Sequence, residues 1–163
     1  MAEQWVVHAS PLIVLGKISQ LELLNRLPQR VVVPSAVVLE IMAGPESDGA
    51  RLALAGKMFS EVNVPNIPSE LAAWDLGAGE TSVLSYALQN PGWVAILDDG
   101  AARKCAKSFS IPIKGTLGVI LLAKKRGLVP SASKVLHELQ DAGLRLDEEL
   151  IRSVLQQTVG EDW

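Results

Sequence analysis

The apolar positions of this chain fall into short β-branched runs separated by longer stretches with helical spacing. Residues 4–8 and 31–33 carry no apolar–polar alternation, so they read as strands buried on both faces. Residues 94–97 read the same way, with shorter strand-like pieces at 61–64 and 111–113. Between them the spacing predicts helices over 12–16, 21–27, 35–43, 47–59, 79–88, 101–108, 133–142 and 147–157. A further helix, opened by Gly115-Thr116-Leu117-Gly118, runs to 125. Ser10-Pro11 is a helix start with proline at the first helical position, Gly44-Pro45 is a stop, and prolines 65 and 68 mark a loop. Strands alternating with helices predict a central parallel sheet covered on both faces, in one α/β domain spanning residues 1–163. No repeat, low-complexity linker or composition break interrupts it.

A chain of 163 residues is long enough for such a core. Its single cysteine, Cys105, excludes an internal disulfide framework and a cysteine zinc site. The longest apolar run, 117–123, is too short for a bilayer, and residues 1–5 lack a basic, hydrophobic leader, so a soluble cytoplasmic protein without a membrane partner is expected. The net charge of −3 hides an asymmetry. Residues 101–126 contain no acid, while Arg103, Lys104, Lys107, Lys114, Lys124, Lys125 and Arg126 are all basic. Such a stretch beside carboxylates suits a phosphodiester, with cations on the backbone and acids on a metal; a solvated basic face is the alternative.

Four of the acids stand out by their position. Asp98-Asp99 stands where the strand 94–97 stops and a small-residue helix begins. Asp99 is a plausible N-cap, and one cap cannot explain two adjacent acids, so one is expected to be free for other work. Glu40 is the only charged residue between Val31 and Pro45, on a mostly apolar helix where an unpaired carboxylate is costly. Glu80 follows Gly79 in the first turn of its helix, where the helix dipole alone favours an acid. Thr116 sits at a glycine-flanked helix start that suits either a phosphate or a tight turn. His8 ends the first strand, and His137 gets no functional role. No dinucleotide, Walker, nucleophile-elbow or H-E-x-x-H motif is present.

These segments, Val6 through Ile13, Val33-Pro34 through Glu40, Gly79-Glu80, Leu97-Asp98-Asp99 with Ala102-Arg103, and Gly115 through Gly118, occur in the order seen in PIN-domain proteins. The chain resembles most closely the subfamily that forms the toxin half of bacterial and archaeal toxin–antitoxin pairs. The resemblance covers nearly the whole chain, including the C-terminal helices at 133–158, and is most specific from 97 to 127. It implies a Rossmann-like three-layer α/β/α sandwich and a Mg²⁺- or Mn²⁺-dependent ribonuclease with RNA and a small antitoxin protein as partners, acting as a homodimer. Glu40 matches the family's helix Glu, Glu80 its third acid, and Asp98 or Asp99 its fourth. Ser10 and Thr116 match supporting hydroxyl residues.

The departure is at the first position, where His8 stands in place of the family's Asp. Mg²⁺ prefers oxygen ligands, whereas imidazole suits softer ions, so Mn²⁺ is favoured if His8 is a ligand. The main expectation is metal-dependent RNA hydrolysis through Glu40, Glu80, Asp98 and Asp99, with Arg103, Lys104, Lys107, Lys114 and the 124–126 cluster gripping the backbone. The alternative is a catalytically impaired PIN module that binds nucleic acid or a partner protein. A phosphate-transfer receiver or hydrolase using Asp98 would need an acid ending the first strand or a nearby D-x-D, and neither is present.

Overall fold

A computed structural model describes residues 3–44 and 49–163 of the chain. β1 (Gln4–Val7) leads through His8 into α1 (Ala9–Lys17), and α2 (Leu23–Arg26) precedes β2 (Arg30–Pro34). β2 runs directly into α3 (Ser35–Met42), followed by α4 (Gly49–Ala55), β3 (Ser60–Val62), α5 (Ser69–Ala72) and α6 (Ala78–Gln89). β4 (Trp93–Ile96), α7 (Gly100–Ser108), β5 (Ile113–Lys114) and α8 (Thr116–Lys125) come next, then α9 (Ala132–Asp141) and α10 (Glu148–Val159).

The five strands form one sheet in the order β3-β2-β1-β4-β5, with every pairing parallel. Val6 pairs with Val32 on one side and Ala95 on the other. Trp5, Val6 and Val7 in β1 and all four residues of β4 are buried. Successive side chains of a strand point to opposite faces, so burial of every one requires helices on both sides of the sheet. The missing alternation in the sequence was this layer structure. The fold is the α/β sandwich expected for a PIN-like, Rossmann-like protein.

Four local differences have physical causes. α1 begins at Ala9, so Pro11 is its third residue; first-turn amides lack intrahelical partners, and proline is tolerated there. The last strand is 113–114 rather than 111–113, because Pro112 has no N–H to donate, yet its carbonyl still accepts from Ala95 N–H at 2.9 Å. The third strand is 60–62, two residues shorter at its carboxyl end than the 61–64 expected. A short helix, α5, follows Pro68 inside the expected loop. The stop at Pro45 and the first two residues of the helix expected over 47–59 lie outside the described residues. Among the described residues no helix is long and apolar enough to cross a membrane.

α9 packs on α8, and α10 packs on both. The chain end fastens this group. Glu161 accepts hydrogen bonds from Ser131 Oγ and from the N–H groups of Ala132 and Ser133 at the start of α9, at 2.9–3.0 Å. Trp163 stacks on His137 with ring centroids 3.7 Å apart. Burial acts to raise the Glu161 pKa, but these donors and the Lys124 charge outweigh it and hold the carboxyl below its ordinary value. A depressed folded pKa contributes stability that is full above the unfolded value near about 4.3 and is lost as pH falls through the folded one. Glu161→Gln is therefore expected to lower thermal stability at pH 7 by roughly the 1–2 kcal/mol of a strong N-cap. The gap to wild type should narrow in melts taken below about pH 4; an equal gap at both pH values would contradict the charged cap.

Candidate functional site

The sheet grows from β1 through β2 to β3 on one side, and β4 and β5 extend it on the other. Open α/β sheets bind ligands outside the carboxyl ends of the strands where the strand order reverses. That point lies here between β1 and β4, whose ends deliver His8 and Asp98-Asp99. A cleft of about 390 Å³ opens there, lined among others by His8, Ser10, Glu80, Asp98, Asp99 and Arg145.

His8 is buried at the start of α1, and its backbone N–H donates to Ile96 O at 2.9 Å, tying the turn to β4. Its Nε2 lies 3.4 Å from Glu80 Oε1 and 3.9 Å from Glu40 Oε2. Neither ring nitrogen has a hydrogen-bond partner among the described residues, although both are buried. An orphaned buried nitrogen is costly, and functional sites are where such costs are tolerated.

Glu40 reaches from α3 to the start of α6, where Gly79 N–H donates to its Oε1 at 2.8 Å. The carboxylate fits only because residue 79 has no side chain: a Cβ there would lie 2.6–2.9 Å from the Glu40 carboxyl atoms. Glu40 is thus a half-exposed acid bonded to a helix amide, with the imidazole 3.9 Å away. Glu80 follows in the first turn of α6, where the helix dipole favours it.

The two adjacent aspartates each serve a helix start. Asp99 caps α7, accepting from Ala102 N–H at 2.9 Å. Asp98 spans to α8, accepting from Thr116 N–H at 2.8 Å and from Thr116 Oγ1 at 2.6 Å. One cap does not have to explain both acids, because a second helix begins within reach of the same strand end. The phosphate reading of the Thr116 amide is corrected: the internal carboxylate of Asp98 takes the anion position that α8 offers. Thr116 itself is fully buried beneath that carboxylate.

The basic stretch divides. Lys124 Nζ donates to Pro130 O at 2.7 Å and pairs with Glu161 at 3.7 Å, and Arg126 donates to Leu27 O. Two of the three charges at 124–126 therefore fasten the fold, and Lys125 is exposed at the end of α8. Lys104 and Lys107 are exposed on α7. Arg103 and Lys114 line a second groove beside the cleft. Arg145, from the α9–α10 loop, lines both cavities and was missed by sequence reading. Nothing local in the sequence distinguishes it; only the packing of α10 on α8 brings it there.

In charge and donor type these residues suit a divalent ion. Glu40, Glu80 and Asp98 offer carboxylate oxygens, each with lone pairs beyond those already used, and His8 offers an unpartnered nitrogen. Among the described residues, however, no three His, Cys, Asp or Glu side chains close into a metal-binding cluster. Two of the acids are held back by donors of the protein: Asp98 by Thr116 and Glu40 by Gly79.

A parallel α/β sandwich with carboxylates gathered at its switch point is a protein class whose ligand site lies at the carboxyl ends of its strands. The sequence model of the PIN domain matches residues 4–160, and the chain belongs to the PIN-domain family. No curated protein matches it. Family membership points to nuclease activity, divalent-metal dependence and nucleic-acid binding in general.

Proposed function

We propose that the chain acts as a single PIN-like domain over residues 1–163, with the 133–158 helices as part of it. In this reading it is a metal-dependent endoribonuclease, the toxin of a toxin–antitoxin pair. The observation that carries the reading is the His8–Glu80–Glu40 contact, with its unpartnered imidazole nitrogens, beside Asp98 at the β1/β4 crevice. The resemblance over 97–127 supports the toxin assignment, and with it a small antitoxin partner and a homodimer.

Glu40, Glu80, Asp98 and, secondarily, Asp99 and His8 would hold Mg²⁺ or Mn²⁺, with Mn²⁺ favoured where imidazole nitrogen contributes. When bound, such an ion supplies an activated water and neutralises charge at phosphorus and the leaving oxygen. The protein's own contribution is positioning. Thr116 fixes both oxygens of Asp98, Gly79 fixes Glu40, and Ser10 lines the cleft. Cations of the 103–114 segment meet the phosphates of RNA.

Incubation of purified protein with single-stranded RNA and Mn²⁺ tests this. Cleavage is expected, and Glu40→Gln is expected to reduce it about 10²-fold through misplacement of the site. The second reading, a PIN module that binds without cutting, is favoured by a specific observation. His8 occupies the first acidic position, and both oxygens of Asp98 are already engaged. Binding of RNA without metal-dependent cleavage would establish that reading.

A further inference from the structure

The second groove, about 520 Å³, shares Asp98, Leu144 and Arg145 with the carboxylate cleft, so the two cavities adjoin. We infer that this groove is the track for the backbone of a single-stranded nucleic acid, and that Arg145 holds the phosphate passing between the two cavities. The inference rests on the nuclease reading and adds to it the route of the strand and the residue at its bend.

Three cations line the groove: Arg103, Lys114 and Arg145. Among the described residues, neither the Arg103 nor the Arg145 guanidinium makes a hydrogen bond or ion pair. That separates them from Lys124 and Arg126, whose donors are satisfied inside the fold. Arg103 also has room made for it. Its Nη1 lies 2.7 Å from where a Cβ on Gly115 would stand, so the glycine admits the guanidinium beside Asp98. Asp98, the one acid lining the groove among the described residues, has both oxygens on Thr116. Asp98 keeps its charge and Lys114 pairs with Glu3 at 3.6 Å, so the net positive charge among the described lining residues comes from the two unpaired guanidinium groups. Guanidinium forks are suited to two phosphate oxygens at once.

The remaining lining fixes the form of the ligand. Leu117, Leu121 and Leu150 contribute aliphatic surface, which can receive the face of an unstacked base. A duplex keeps its bases stacked inside and cannot use that surface. Among the described residues no aromatic side chain lines the groove, so affinity must come mainly from backbone charge and depend steeply on salt.

Fluorescence anisotropy with a short labelled single-stranded oligoribonucleotide, titrated over salt, reads this directly. Glu80→Gln protein serves as the background that limits turnover. Adding Arg145→Ala should flatten the slope of log K against log salt by about 0.7, and Arg103→Ala with Lys114→Ala and Arg145→Ala by about 2. Arg152→Ala, an exposed charge on α10 that lines neither cavity, should leave the slope unchanged. A duplex of the same sequence should bind more weakly, and its slope should not respond to Arg145→Ala. Equal responses of single strand and duplex would overturn the single-strand assignment. An unchanged slope in Arg145→Ala, with wild type still cleaving, would overturn the inference alone and leave the groove to an acidic protein partner. The expected slope change without cleavage by wild type would support the groove and remove the nuclease reading. Absence of binding by wild type would overturn both.

Discussion

Gly79→Ala is expected to fold almost normally and to lose about 10²-fold in cleavage. Two effects compete at this position. Alanine within a helix is favoured over glycine by roughly 0.5–1 kcal/mol. Against that, the new Cβ would meet the Glu40 carboxyl group at 2.6–2.9 Å, a separation that real contacts do not sustain. The colliding atoms are the end of a flexible side chain, and Glu40 is half exposed, so the carboxylate can swing toward solvent at small cost. The fold survives and the geometry does not: the 2.8 Å hydrogen bond from Gly79 N–H is lost, and Glu40 leaves the His8 imidazole. Melting temperatures of mutant and wild type should then differ by less than about 4 °C, the shift that 1 kcal/mol gives in a chain of this size. Gly100→Ala is the matched control, because a Cβ there meets nothing within 4 Å. A Gly79→Ala protein with wild-type cleavage would show that Glu40 takes no part in the chemistry.

The glycine and acid positions explain how far the sequence could be read. Strand runs such as Trp5-Val6-Val7 and Trp93 through Ile96 were legible because burial on both faces leaves no alternation, a property each residue carries alone. The same holds for Asp98-Asp99, which stand just past the end of β4. What stayed hidden depends on partners distant in the chain. Asp98 meets Thr116, eighteen positions on, and Glu40 meets Gly79, thirty-nine on. Local spacing therefore showed that two aspartates stood at a helix start, and it could not show that two different helices started there. Arg145 is the extreme case. It stands between two amphipathic helices whose apolar faces are legible, but which side of α8 they cover is decided by packing. The basic run misled for a related reason: charge is visible in sequence, whereas its satisfaction by Pro130 O, Leu27 O and Glu161 is not.

His8→Asp is expected to have the largest effect on metal, with opposite signs in its absence and presence. In the metal-free protein the substitution sets a third carboxylate beside two others, since the His8 ring lies 3.4 Å from Glu80 and 3.9 Å from Glu40. Like charges near 4 Å repel by about 4 kcal/mol at an effective dielectric of 20; the repulsion here is smaller, because aspartate is shorter than histidine and Glu40 is partly solvated. The residue is also buried, which adds a desolvation cost to a new charge. Metal-free His8→Asp should therefore melt below wild type. A divalent cation reverses the balance, because each carboxylate that repels its neighbours attracts the ion with twice the charge. The shorter aspartate also supplies the oxygen donor that Mg²⁺ prefers to imidazole nitrogen. His8→Asp should thus gain more from Mn²⁺ or Mg²⁺ than wild type does, with metal affinity raised at least about tenfold, or 1.4 kcal/mol. Wild type should respond to Mn²⁺ more than to Mg²⁺. Thermal melts of both proteins with EDTA, MnCl₂ and MgCl₂ read all of these differences, and cleavage assays follow whether the added affinity becomes rate. The contrary outcome is specific: a mutant that melts lower and recovers nothing with either ion. In that case the imidazole is a structural spacer between Glu40 and Glu80, holding apart two acids that would otherwise repel across the crevice.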